Sequence, residues 1–149
     1  MTGATFAVDT SAMVAAVCTW HEHHRAAAAA IEARLDRGER LTVAAHALVE
    51  TYAVLTRLPA PHRLAPSDAW RLIDANFVSS ASIVILDAAA HATLLRELAA
   101  AGIGGGRPYD AVIAASIRRA GVTVLLTFNR RHFDLHEEGL IVIEPADPR

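Results

Sequence analysis

Short apolar, β-branched runs alternate along this chain with longer alanine-rich stretches of helical spacing, and that alternation restricts the fold more than any other feature. Phe6 to Val8 reads as a buried strand ending at Asp9, with Thr10 or Ser11 opening a helix towards Val17. His21 to Arg37 reads as a second helix, with Ile31 and Leu35 at i,i+4 and Gly38 as its stop. Leu41 to Ala44 is a second strand, followed by a helix through Leu48, Tyr52, Leu55 and Leu58 that ends before Pro59. Pro59, Pro61 and Pro66 mark an irregular link, after which Ser67 is placed to cap a helix carrying Trp70, Ile73 and Phe77. Ser82 to Leu86 is a third strand, and Asp87 caps a helix from Ala88 to Ala101. Gly102 to Gly106 is a glycine-rich turn, and Pro108 suits the first turn of a helix reaching Arg119. Val122 to Leu126 and Leu140 to Ile143 supply the last two strands. Strands alternating with helices call for a mostly parallel central sheet covered on both faces, a three-layer α/β/α sandwich.

The chain has 149 residues, 53% of them hydrophobic and 20% charged, which fits one packed domain over residues 1–149 with no internal repeat. No apolar run approaches the roughly 20 residues that span a bilayer. The N-terminal MTGATFAVDTSA lacks a basic segment, so no secretory signal is expected and the cytoplasm is the expected location. Cys18 is the sole cysteine, which rules out an intrachain disulfide framework. A formal net charge of −2 removes bulk attraction as an argument for nucleic acid, although a local site stays open. All 14 basic residues are arginine. The absence of lysine excludes Schiff-base enzymes, GxxxxGK[ST] phosphate loops and aspartyl-phosphate enzymes that need a lysine.

In such a sheet function collects at the carboxyl ends of the strands. Asp9 ends the first strand, Glu50 lies among apolar neighbours in ALVETYAVLTRLP, and Asp110 opens the helix PYDAVIAAS. Each has an ordinary explanation, as a helix cap for the two aspartates and a solvated helix position for Glu50. Facing carboxylates in apolar surroundings, however, repel one another unless a cation neutralises them. No lysine is available and no histidine lies beside them in sequence. An all-oxygen donor set points to Mg²⁺ or Mn²⁺ over Zn²⁺.

The segments VDTSA (8–12), ETYAVLTRLP (50–59), GIGGGRPYDAVIAA (102–115) and LLTFNRRHF (125–133) together resemble those of PIN-domain proteins, specifically the VapC-type toxin ribonucleases of toxin–antitoxin pairs. The resemblance implies a PIN-like α/β/α sandwich and a Mg²⁺-dependent (or Mn²⁺-dependent) endoribonuclease. In it Asp9, Glu50 and Asp110 take the acidic roles, with Asp9 and Asp110 on the metal. Thr10, Ser11 and Thr127 would support the site. Beside the resemblance, Arg57, Arg107 and Arg130 are placed to track RNA phosphates, with an exposed salt-bridging role at least as fitting for any single one. A fourth acidic residue common in the family is replaced by Asn129, a neutral oxygen donor or an ordinary turn residue. Hydrolysis would proceed through metal-activated water and leave a 5′-phosphate. Implied partners are the RNA substrate, a VapB-type antitoxin lying across the acidic groove, and a second copy in a homodimer, with no membrane involved.

Two rival classes remain at this level: a catalytically silent PIN-like binding module, and a phosphotransfer enzyme using Asp9 as nucleophile, which the missing lysine disfavours. HEHH at 21–24 matches no zinc spacing, because its histidines do not all share a helix face. The Gly104–Gly106 turn reads as a flexible connection more readily than as an anion cradle.

Overall fold

Phe6, Ala7 and Val8 have no exposed surface at all, a state a strand reaches only when both faces of its sheet are covered. The computed structural model describes residues 3–136 and 139–149. It runs β1 (Thr5–Val8), α1 (Thr10–Val17), α2 (His24–Asp36), β2 (Arg40–Ala44), α3 (Ala45–Arg57) and α4 (Pro66–Ile73). A π-turn (Asp74–Val78) leads to β3 (Ser82–Val84), α5 (Ala88–Ala100), α6 (Arg107–Arg119), β4 (Val124–Leu126), a 3₁₀ segment (Arg130–His136) and β5 (Ile141–Ile143).

The strands lie in the order β3-β2-β1-β4-β5, and all four pairings are parallel. The chain therefore steps outward from β1 to β3, then returns across the sheet to β4. α1 packs on α2 and β1, α5 packs on α6, α6 packs on β2, and α3 touches both α1 and α6. The reversal falls between β1 and β4, so the carboxyl ends of these two strands form the switch point where α/β proteins open a crevice.

The main core joins the strands to α1 through Ala12 and Met13 and to α6 through Ile113, Ala114 and Ile117. A smaller cluster of Val14, Cys18, Leu55, Ala69 and Ile73 binds α1, α3 and α4 to one another. Burial of Cys18 matches its apolar setting in the sequence. No helix of the described residues is long and apolar enough to cross a membrane.

Several boundaries differ from expectation. α2 starts at His24, because residues 19–23 fold into a turn in which the His23 N–H donates to His21 Nδ1 at 3.0 Å. Ser67 does not cap α4: Ala65 holds that position without a side-chain bond, and Pro66 enters the first turn directly. The helix expected to carry Phe77 widens into the π-turn, which keeps Phe77 buried. β3 stops at Val84, opposite Ala44, where its partner β2 ends.

Candidate functional site

Asp9 sits at the handover from β1 to α1, with extended backbone (φ −88°) and its Oδ1 accepting the Ala12 N–H at 2.9 Å. It is a helix cap, as its position allows, but capping accounts for little of its surroundings. The Ser11 hydroxyl donates to the same oxygen at 2.7 Å, and the Thr127 hydroxyl, arriving from the end of β4, donates to Oδ2. Each hydroxyl is itself fixed by the following loop: the Phe128 N–H donates to Ser11 Oγ and the Asn129 N–H to Thr127 Oγ1, both at 2.9 Å. The Asp9 side chain is thus clamped at once from the first turn of α1 and from the residue that follows β4.

Asp9 is only 2% exposed. Burial pushes its carboxyl from an ordinary 3.8 up to about 6; the bonds from Thr127, Ser11 and Ala12 pull it down, and the charge of Asp110 raises it again. That last influence places Asp110 within electrostatic reach of Asp9.

Asp9, Glu50 and Asp110 line one cleft of about 470 Å³, together with Thr10, Ser11 and Asn129. Glu50 and Asp110 are half-buried, and each meets a histidine. His46 Nε2 lies 2.6 Å from Glu50 Oε1, and these two atoms, closed off from water, have no other partner among the described residues. His132 Nδ1 lies 3.0 Å from Asp110 Oδ2. His46 also stacks on Tyr109, with centroids 5.4 Å apart and planes 6° from parallel, which ties α3 to the start of α6.

No histidine adjoins the carboxylates in sequence, yet the fold brings one to each of the two outer ones. His46 precedes Glu50 by four residues on one helix, a spacing that puts both on the same face and was legible in the sequence. His132 carried no comparable signal. The apolar setting expected for Glu50 is corrected. Val49 is 68% exposed and Tyr52 38%, while Thr51 alone of the three is buried.

Thr10 Oγ1 is buried in the cleft wall without a hydrogen-bond partner among the described residues. Among the described residues no arginine lines the cleft. Arg57, Arg107 and Arg130 are exposed outside it, Arg130 immediately beyond Asn129. His21, Glu22 and His23 form part of the lining, a position no sequence spacing announced.

Among the described residues no three His, Cys, Asp or Glu side chains form a ready-made ligand set. The donors nevertheless suit a hard divalent ion. Asp9 is a clamped carboxylate that burial disfavours when charged, Asp110 adds a second negative charge, and Thr10 contributes an orphaned oxygen.

The PIN domain family model matches residues 6–138. Ribonuclease VapC40 of Mycobacterium tuberculosis is 41% identical over 138 residues, which is 93% of this chain and 96% of that protein. Ribonuclease VapC27 of the same species is 41% identical over 143 residues, 94% of this chain and 96% of that one. Among solved structures, M. tuberculosis VapC20, described as a sarcin–ricin loop cleaving toxin, superposes with a TM-score of 0.68 at 19% identity, covering 94% of this chain and 99% of that one. Rickettsia felis VapBC2 bound to a promoter DNA fragment gives 0.67 at 19% identity, covering 95% and 99%.

Proposed function

The chain belongs to the PIN-domain family, and from that premise we propose that it is a metal-dependent endoribonuclease, the toxin of a VapBC-type pair. The observation that carries this reading is the meeting of Asp9, Glu50 and Asp110 on one cleft at the switch point of the sheet. Relatives 41% identical over nearly their whole length and named as ribonucleases support it over a silent module.

In this reading Asp9 and Asp110 would hold Mg²⁺ or Mn²⁺, with Thr10 and Glu50 as neighbouring oxygen donors on the same cleft. The bound ion would supply a water of lowered pKa and a counter-charge for the phosphate. Ser11 and Thr127 keep Asp9 from swinging, so its carboxylate is in position before substrate arrives. Glu50 and Asn129 would orient the attacking water, while His46 and His132 contact the two outer carboxylates, Glu50 and Asp110. Arg130, Arg57 and Arg107 are left for phosphates that run beyond the cleft.

A VapB-type antitoxin would block the same cleft. A homodimer finds support in the exposed apolar pair Val49 and Ile85, 68% and 74% exposed, which line a shallow groove with Val112.

The test is mapping of RNA 5′ ends after brief induction of wild type and of Asp110→Asn, with the purified proteins assayed in Mg²⁺ and in EDTA. New 5′-phosphate ends should appear with wild type alone. Losing a metal-holding carboxylate should cost more than the roughly 10–100-fold that even supporting partners cost. Cleavage that survives thorough chelation overturns the reading.

A further inference from the structure

The HEHH segment and its neighbours carry rings that the acidic cleft does not use. Trp20, His21 and His23 occupy the turn between α1 and α2, and their rings join Phe128 and His62 in one continuous file. From the cleft outward, Phe128 stacks on His23 with centroids 4.4 Å apart and planes 5° from parallel. His23 meets His21 at 5.7 Å, His21 meets Trp20 at 5.8 Å, and Trp20 stacks on His62 at 4.0 Å and 20°.

The file is anchored. The His21 N–H donates to the Cys18 carbonyl at 2.9 Å and the His23 N–H to the His21 ring. The Phe128 N–H donates to Ser11 Oγ, the same hydroxyl that holds Asp9. Phe128, His23 and His21 line the cleft, whereas Trp20 lies outside its lining and is 47% exposed. An indole stacked on an imidazole yet left this open presents flat apolar surface to water near the site. With no arginine among the described residues lining the cleft, a nucleic acid entering it gains little there through its phosphates. Beyond the phosphate that the ion would hold, contacts within the cleft are left to its bases.

We propose that this file is a base-stacking track: unpaired nucleotides of the substrate lie against Trp20, His23 and Phe128 and so select which phosphodiester reaches Asp9, Glu50 and Asp110. The proposal rests on the ribonuclease reading. A base inside a duplex has both faces covered by its neighbours, so the track accepts loops and single strands and rejects paired RNA.

Trp70→Phe leaves Trp20 as the sole tryptophan. In that background, with Asp9→Asn to stop cleavage and Mg²⁺ present, an unpaired oligoribonucleotide should quench Trp20 fluorescence saturably, while a duplex and an abasic strand of equal length should not. In the active protein Trp20→Leu and His23→Leu should each raise KM for a single-stranded substrate on the order of tenfold. Their kcat should stay within about twofold of wild type, and Trp20→Phe, which keeps a ring, should restore most of the loss. Unchanged fluorescence up to the highest RNA concentration overturns the track, as does equal quenching by the abasic strand or a response to the antitoxin peptide alone. Quenching by RNA without any cleavage by the active protein keeps the track and overturns the ribonuclease reading. Metal-dependent cleavage with KM unchanged in Trp20→Leu does the reverse.

Discussion

Asp9 illustrates how one residue can weaken a protein and serve it. Its carboxyl, raised from 3.8 to about 6 first of all by burial, prefers the neutral acid by about 3 kcal/mol relative to the unfolded chain. For a raised acid the sign is fixed: the contribution to stability is complete below pH 3.8 and is lost as pH rises through about 6. Metal-free protein should therefore lose stability between pH 4 and 7 through this group, and Mg²⁺ should restore it by mass action. Asp9→Asn should remove activity yet raise the melting temperature in EDTA at pH 7.5 by a few degrees, corresponding to about 1–2 kcal/mol once the altered hydrogen bonds to Ser11 and Thr127 are allowed for. Calorimetry in EDTA and in Mg²⁺ checks both halves. A variant less stable than wild type in EDTA would mean that the clamp around Asp9, and not its desolvation, dominates.

At the scale of elements, three helices end in the same way. After α2, α5 and α6, a glycine with φ of 81°, 68° and 81° (Gly38, Gly102 and Gly121) turns the chain back. The following residue donates to the carbonyl five positions earlier: Glu39 to Arg34, Ile103 to Leu98, and Val122 to Ile117. This doubly bonded stop satisfies the last carbonyls and aims the chain at its next element, β2 and β4 in two of the three cases. The left-handed backbone at Gly121 leaves space for a methyl group but not for its preferred conformation. Gly121→Ala should cost roughly 1–2 kcal/mol in denaturant unfolding. Because β4 carries Thr127 to Asp9, activity should fall with it. The π-turn at Asp74–Val78 has no comparable local cue, and its sequence reads as plain helix. There the packing of Phe77 into the core decides the geometry.

For the whole molecule the governing facts are a net charge of −2 and a cleft whose lining, among the described residues, holds no arginine. Binding of single-stranded RNA should then depend only weakly on salt. A log–log slope no steeper than about −2 is what three arginine–phosphate contacts would give, the number that Arg57, Arg107 and Arg130 could supply. Fluorescence anisotropy of a labelled strand across a salt series measures it. A much steeper slope would mean that RNA follows a basic path outside the cleft and that base contacts are secondary.

The order of strands and helices, the parallel sheet, the place of Asp9 at a strand end and the glycine stops follow from the sequence alone. Each rests on local periodicity or on a backbone preference that a few adjacent residues express. The family motifs also picked out Asp9, Glu50 and Asp110, and the fold brings these three to one cleft. The motifs named Ser11 and Thr127 as supports as well, but not the bonds they make: Thr127 stands 118 positions away and reaches Asp9 only because β4 pairs with β1. The same holds for the contact of His132 with Asp110 and for the file of rings from Phe128 to His62. Those contacts depend on strand order and on the turn taken by residues 19–23, and both are settled by how the helices pack across the sheet, not by any spacing along the chain.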